Sequence, residues 1–223
     1  MKHSIIVALD EHNQENFDDV LSQLDPGLCM VKIGSVSFNS LGRECVLKAA
    51  NKGFDIFLDL KLHDIPNTVK KSIEGLVNLP ITMMTVHASG GQKMLEESVS
   101  ATTNTDIKIF GVTALTSLSD TDTNFIYKRE AKEQVLAMID LAKKSCIHGV
   151  VCSPQELSLV KNNSNLLTIT PGIRLKSLDD DQTRVMTPKE AIDNGSDFLV
   201  IGRPITASNN IKNSLKEIYD SIQ

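Results

Sequence analysis

The chain has 223 residues, 41% of them hydrophobic and 23% charged, and a formal net charge of -5. These proportions belong to a globular protein able to bury a substantial core, at a length that α/β barrels occupy as one unit, and they exclude a disordered chain. No dense Lys/Arg run or basic-aromatic interleaving is present, which leaves out a nucleic-acid surface, and no apolar run approaches membrane-spanning length.

The amino terminus, M-K-H-S-I-I-V-A-L-D, reaches an acid at Asp10 too soon for a signal peptide, so a cytoplasmic protein is expected. It also opens the first strand, at 4–9. Further short β-rich apolar runs fall at 29–33, 55–60, 81–86, 108–112, 149–151, 167–170 and 198–201. Between them lie helical signatures. Ala131, Val135, Met138, Ile139 and Ala142 form one stripe at spacings of three and four, and Ile211, Leu215, Ile218 and Ile222 form another. Ser153-Pro154-Gln155-Glu156 and Thr187-Pro188-Lys189-Glu190 each join an N-cap hydroxyl, a proline at the first helical position and a glutamate that closes a capping box. The polar stretches 117–130 and 176–186 read as mobile loops after strands five and seven. Cys29, Cys45, Cys146 and Cys152 are scattered, with no C-x-x-C pair, and read as buried free thiols.

Eight strand-helix units averaging about 28 residues favour a closed (β/α)8 TIM barrel over an open doubly wound sheet. In such a barrel the active site lies at the C-terminal end of the strands, and the residues there are chemically unusual. Asp10 ends strand one, Lys32 lies in V-K-I-G of strand two, and His87 ends strand four. Strand three runs into D-L-K-L-H-D-I-P-N-T, from Asp59 to Thr68. Strand alternation puts Asp59 and Lys61 on one face, with Leu58, Leu60 and Leu62 on the other. Lys32 in an apolar strand is costly unless paired, and Asp59 is its expected partner. A surface salt bridge is the bland reading of Asp59 and Lys61, weakened by a third charge, Asp64, held by the stiff Ile65-Pro66 pair.

After strands seven and eight come Thr170-Pro171-Gly172-Ile173-Arg174 and Ile201-Gly202-Arg203-Pro204, where many barrels bind phosphate. Arg203 offers a bidentate donor and Gly202 allows close backbone approach, while Arg174 divides evenly between a phosphate role and a structural ion pair. Gln182 adds a hydrogen-bond donor from the intervening loop. His63, Asp64 and His87 have the chemistry of metal ligands, but the facing lysine charge opposes a cation, so no metal is expected.

The ordered set V-A-L-D, V-K-I-G, D-L-K-L-H-D-I-P-N-T, V-H-A-S-G-G, V-T-A-L-T-S, T-P-G-I-R and V-I-G-R-P-I resembles orotidine 5'-phosphate decarboxylase across nearly the whole chain. That resemblance implies one barrel domain over residues 1–223. It implies conversion of orotidine 5'-monophosphate to uridine 5'-monophosphate and carbon dioxide, without metal or organic cofactor. It makes Lys61 the proton donor, flanked by Lys32 and Asp59, with Asp64 completing the array from the other subunit of a homodimer. It further implies that Asp10 and Lys32 contact ribose and Thr116 the pyrimidine. Arg174, Gln182, Gly202 and Arg203 surround the phosphate, and the whole segment Asp59, Leu60, Lys61, Leu62, His63, Asp64, Ile65, Pro66, Asn67 and Thr68 belongs to the substrate site. Two rivals stay open: a magnesium-dependent sugar-phosphate decarboxylase or aldolase sharing the D-x-K-x-x-D strand end, and a non-catalytic phosphate-ligand sensor.

Overall fold

Short strands that are apolar on both faces need cover on both sides and partners on both edges, and closing the sheet supplies both. A computed structural model describes residues 4–174 and 186–223. In it β1 (Ile5–Leu9), β2 (Met30–Gly34), β3 (Ile56–Leu62), β4 (Met83–His87), β5 (Lys108–Val112), β6 (Gly149–Val151), β7 (Leu167–Thr170) and β8 (Phe198–Ile201) form a closed barrel in sequence order. All neighbours run parallel, and Ile6 opposite Val200 joins the first strand to the last.

Two cores follow from the period of two. Ile5, Val7 and Leu9 of β1 point outward and pack with Phe17 and Leu21 of the helix Gln14–Gln23, part of the layer that wraps the sheet. Ile6, Met30, Phe57, Met83, Phe110 and Phe198 point inward and fill the barrel. Phe110 stands edge-on to both Phe57 and Phe198, with ring centroids 6.5 Å and 6.4 Å apart, a packing that closes the barrel floor with apolar surface.

Both helical stripes fold as helices, Ala131–Lys144 with all five stripe residues buried, and Ile211–Ser221 with Ile211, Leu215 and Ile218 buried. Thr187 caps Pro188–Asp193 through a reciprocal pair: its hydroxyl accepts from the Glu190 N–H at 3.3 Å, and the Glu190 carboxylate accepts from the Thr187 N–H at 3.0 Å. At the second start, the Glu156 carboxylate accepts from the Ser153 N–H at 2.9 Å, but the first turn, Pro154–Glu156, is a 3₁₀ turn preceding Leu157–Asn163.

Two expectations are corrected. The stretch 117–130 is not simply a loop, because it holds the helix Asp120–Tyr127. Ser119 and Asp122 close a capping box, and the Asp120 carboxylate accepts from the Ala131 N–H at 3.1 Å, so the turn is satisfied without an apolar stripe. Cys29, Cys45 and Cys152 are buried as expected, with burial foremost pushing the Cys29 thiol up to about 12, whereas Cys146 is exposed in a turn with φ 54°. Of the loop expected at 176–186, residues 176–185 lie outside the described residues. Met186 forms a parallel bridge with Ile173. No helix among the described residues is long and apolar enough to cross a membrane.

Candidate active site

The strands deliver their charged ends to one cavity of about 330 Å³ at the C-terminal mouth of the barrel. Asp10, Lys32, Asp59, Lys61, Thr116, Arg174, Gly202 and Arg203 all line it, so eight of the residues expected from sequence are brought together. Beneath them lie residues that the sequence reading passed over: Ala8, Phe57, Ile169 and Val200, each two positions before Asp10, Asp59, Pro171 or Gly202. Strand periodicity carries that signal, since a residue two positions back points into the same interior, one layer deeper.

Asp59 is the centre of the charged cluster. Its Oδ2 lies 2.6 Å from the Lys61 ammonium and 3.7 Å from that of Lys32, with its own side chain 9% exposed. Lys32 lies nearer to Asp10, at 2.9 Å, than to the partner expected for it, because Lys32 stands opposite Ala8 on the adjacent strand and Asp10 follows Ala8 by two residues, on the same face. Burial pushes the Asp59 carboxyl up. Lys32, Lys61 and the hydrogen bonds from Lys61 and Thr85 outweigh that cost and hold it below the usual carboxylate range. The result is a buried anion between two ammonium groups, an arrangement that presents both charge signs to a bound molecule.

Regular alternation does not by itself account for where Lys61 stands. Leu58 opposes Met84 and Leu62 opposes Val86, so four steps of β3 face two of β4. Within that irregularity Lys61 adopts φ 50°, a left-handed conformation strained for a lysine, and its N–H donates to the Thr85 hydroxyl at 2.9 Å. Strain of this kind persists only where surrounding contacts fix it, and it aims the ammonium at Asp59.

The remainder of the strand-three motif takes another course. Leu60 and Leu62 are not in the cavity but pack against the outer core, on the helix-facing side of the strand. His63, Asp64, Ile65, Asn67 and Thr68 are exposed, and Pro66 starts the helix Pro66–Glu74. None of them lines the chain's own cavity. Among the described residues Asp64 makes no salt bridge, and its carboxylate accepts from the Ile65 N–H at 2.6 Å. His63 instead stacks on His87, ring centroids 5.1 Å apart; burial first, then His63 and Lys61, lower the His87 pKa and favour its neutral form.

At the other side of the mouth, Arg174 is buried to 7% exposure and one guanidinium nitrogen donates to the Ile173 carbonyl at 3.0 Å. The Arg174 N–H donates to the Met186 carbonyl at 3.0 Å, so the chain leaves and re-enters this wall at adjacent points. Gln182, expected to face the phosphate, lies outside the described residues. Two arginines, with Gly172 and Gly202, form a cationic wall of the cavity at the ends of β7 and β8.

Fold and site together define a (β/α)8-barrel enzyme whose mouth joins a carboxylate-ammonium array to an arginine-lined wall. The model of the orotidine 5'-phosphate decarboxylase / HUMPS family matches residues 3–218, and the chain belongs to that family. It is 44% identical over 220 residues to the orotidine 5'-phosphate decarboxylase of Saccharophagus degradans, covering 96% of this chain and 92% of the relative. It is likewise 44% identical to that of Wolbachia pipientis, with 98% of each chain covered. The crystal structure of orotidine 5'-phosphate decarboxylase from Lactobacillus acidophilus superposes with a TM-score of 0.87 at 36% identity, covering 98% of both chains. Its enzyme class is that of these relatives, the carboxy-lyases.

Proposed function

We propose that the chain decarboxylates orotidine 5'-monophosphate to uridine 5'-monophosphate and carbon dioxide, the last step of de novo pyrimidine synthesis. The observation that carries this reading is the Lys32-Asp59-Lys61 cluster in a cavity that also holds Arg174 and Arg203. The arginines and Gly202 take the phosphate, Asp10 and Lys32 the ribose, and Thr116 the pyrimidine. Gln182 joins the phosphate contacts.

The bond between carbon 6 and the carboxylate breaks, its electron pair stays on carbon 6, and carbon dioxide departs. Lys61 transfers an ammonium proton to that carbon, and solvent reprotonates the amine. A preorganised cation stabilises charge as it develops in the transition state, which is where binding energy accelerates the step. Asp59 keeps Lys61 oriented and crowds the departing carboxylate. No electron sink beyond this array enters the step, so no metal or organic cofactor has a role in it.

Asp64 completes the array from a second copy of the chain in a homodimer. Its exposure, its absence from its own cavity and the 66% exposure of the adjacent Ile65 support that placement. A spectrophotometric assay with orotidine 5'-monophosphate in excess chelator tests the reading. Turnover under chelation is the expected result; activity only after magnesium is restored, or none at all with folded protein, overturns it.

A further inference from the structure

Thr85 lies in the middle of β4, is 0% exposed and does not line the cavity, yet it touches both halves of the ion pair. Its Oγ1 accepts from the Lys61 N–H at 2.9 Å and donates to Asp59 Oδ1 at 2.8 Å. The polarity of both bonds is fixed. A backbone N–H only donates and an ionised carboxylate only accepts, so the single hydroxyl proton is directed to Asp59. Oδ1 is thereby engaged, and Oδ2 turns to the two ammonium groups. The same hydroxyl replaces the ladder partner that the irregular register denies Lys61, and so supports its left-handed backbone.

We propose that Thr85 is a positioning residue for the decarboxylation, a single hydroxyl that holds the Lys61 backbone in its strained conformation and sets the orientation of the Asp59 carboxylate. This rests on the reading of the site given above. Other groups facing Asp59 are Lys32 from β2, with Asp10, the residue after β1, beyond it, Lys61 from its own strand, and His87 from β4. None of them contacts the Lys61 N–H, so none substitutes for the bridging role.

Thr85→Val keeps the branched shape and removes both hydrogen bonds; Thr85→Ser keeps the hydroxyl. A misplacement on the scale of an ångström in such an array costs about 100-fold, and kcat of Thr85→Val falls by that order. KM and the affinity for uridine 5'-monophosphate change by less than about threefold, because Thr85 does not itself line the cavity that holds the nucleotide, and the phosphate-side residues Arg174, Gly202 and Arg203 are untouched. Thr85→Ser regains most of the lost turnover. The ¹³C titration of the Asp59 carboxyl gives a readout independent of turnover: its midpoint moves to higher pH in Thr85→Val, where a hydrogen bond to the ionised form is gone, and stays in place in Thr85→Ser.

Turnover in folded Thr85→Val within about threefold of the unmodified protein overturns the proposal, as does an unmoved Asp59 titration or a serine variant as impaired as the valine one. Thr85→Ala serves the same comparison should the valine variant not fold. Should the unmodified protein fail to decarboxylate the nucleotide, the proposed function falls, while the titration and its serine rescue still decide whether Thr85 sets Asp59.

Discussion

Gly34 measures how little room the charged array leaves. A Cβ there would lie 2.9 Å from the Lys32 ammonium and 3.1 Å from Asp10 Oδ1, at the ends of side chains and not against backbone. Those ends yield cheaply in stability but not in position. Gly34→Ala is therefore expected to lower kcat/KM by about tenfold or more through displacement of Lys32, with a melting temperature within about 5 °C of the parent. An unchanged kcat/KM in steady-state kinetics would refute the tight placement of Lys32. Lys61→Ala is the companion case. Lysine and alanine bear the same cost at φ 50°, so the backbone strain cancels and the substitution reads the ammonium alone. Turnover falls by at least about 10³-fold while circular dichroism keeps the native signature. Substantial decarboxylation by the folded variant removes Lys61 from the role of proton donor.

Strands were legible because an apolar run flanked by turn residues has few other uses, and seven of the eight begin within one residue of the positions expected for them. The exceptions to the sequence reading have specific causes. β3 continues to Leu62 through Asp59 and Lys61, charged residues that end a strand by composition but not by hydrogen bonding. Its irregular register arises from pairing with β4, a long-range property that neither strand carries alone. The helix Asp120–Tyr127 escaped notice because its stabilising feature is a polar capping box and its large apolar residues, Phe125 and Ile126, are exposed. Thr85 is legible by the same periodicity, since it lies two positions before His87 and so shares a face with the titratable residue that ends β4.

Pairing between elements also gives the barrel a pH-sensitive joint away from the mouth. His148 precedes β6, and its Nδ1 accepts from the Ile109 N–H of β5 at 3.1 Å, a bond only the deprotonated nitrogen can make. Burial and then the Lys108 charge lower its pKa from 6.5. The folded state thus prefers neutral His148, and its contribution is complete above the unfolded value of 6.5 and lost as pH falls through the lower folded value. His148→Asn retains an acceptor for Ile109 and removes the titration. Urea midpoints across the acid side of 6.5 should fall less steeply in the variant than in the parent; equal slopes would assign the pH dependence to other groups.

At the scale of the whole molecule, a chain of net charge -5 gathers cations at one mouth, so binding a phosphorylated nucleotide depends on local placement and not on overall charge. The same placement separates the strand-three motif into two parts, Asp59 and Lys61 inside the chain's own cavity and Asp64 outside it. If Asp64 serves a second copy, the two parts are separable by mixing. Homodimers of Lys61→Ala and of Asp64→Asn are each impaired, but in a mixed dimer the site built on the intact Lys61 receives an intact Asp64 from its neighbour, while the other site carries both lesions. Equal amounts, dissociated and reassembled at random, give half mixed dimers with one good site in two, hence about a quarter of the parental activity. Recovery near that fraction, appearing only after subunit exchange, establishes a shared site. Activity that stays at the mean of the two parents after exchange places Asp64 in the service of its own chain or of none.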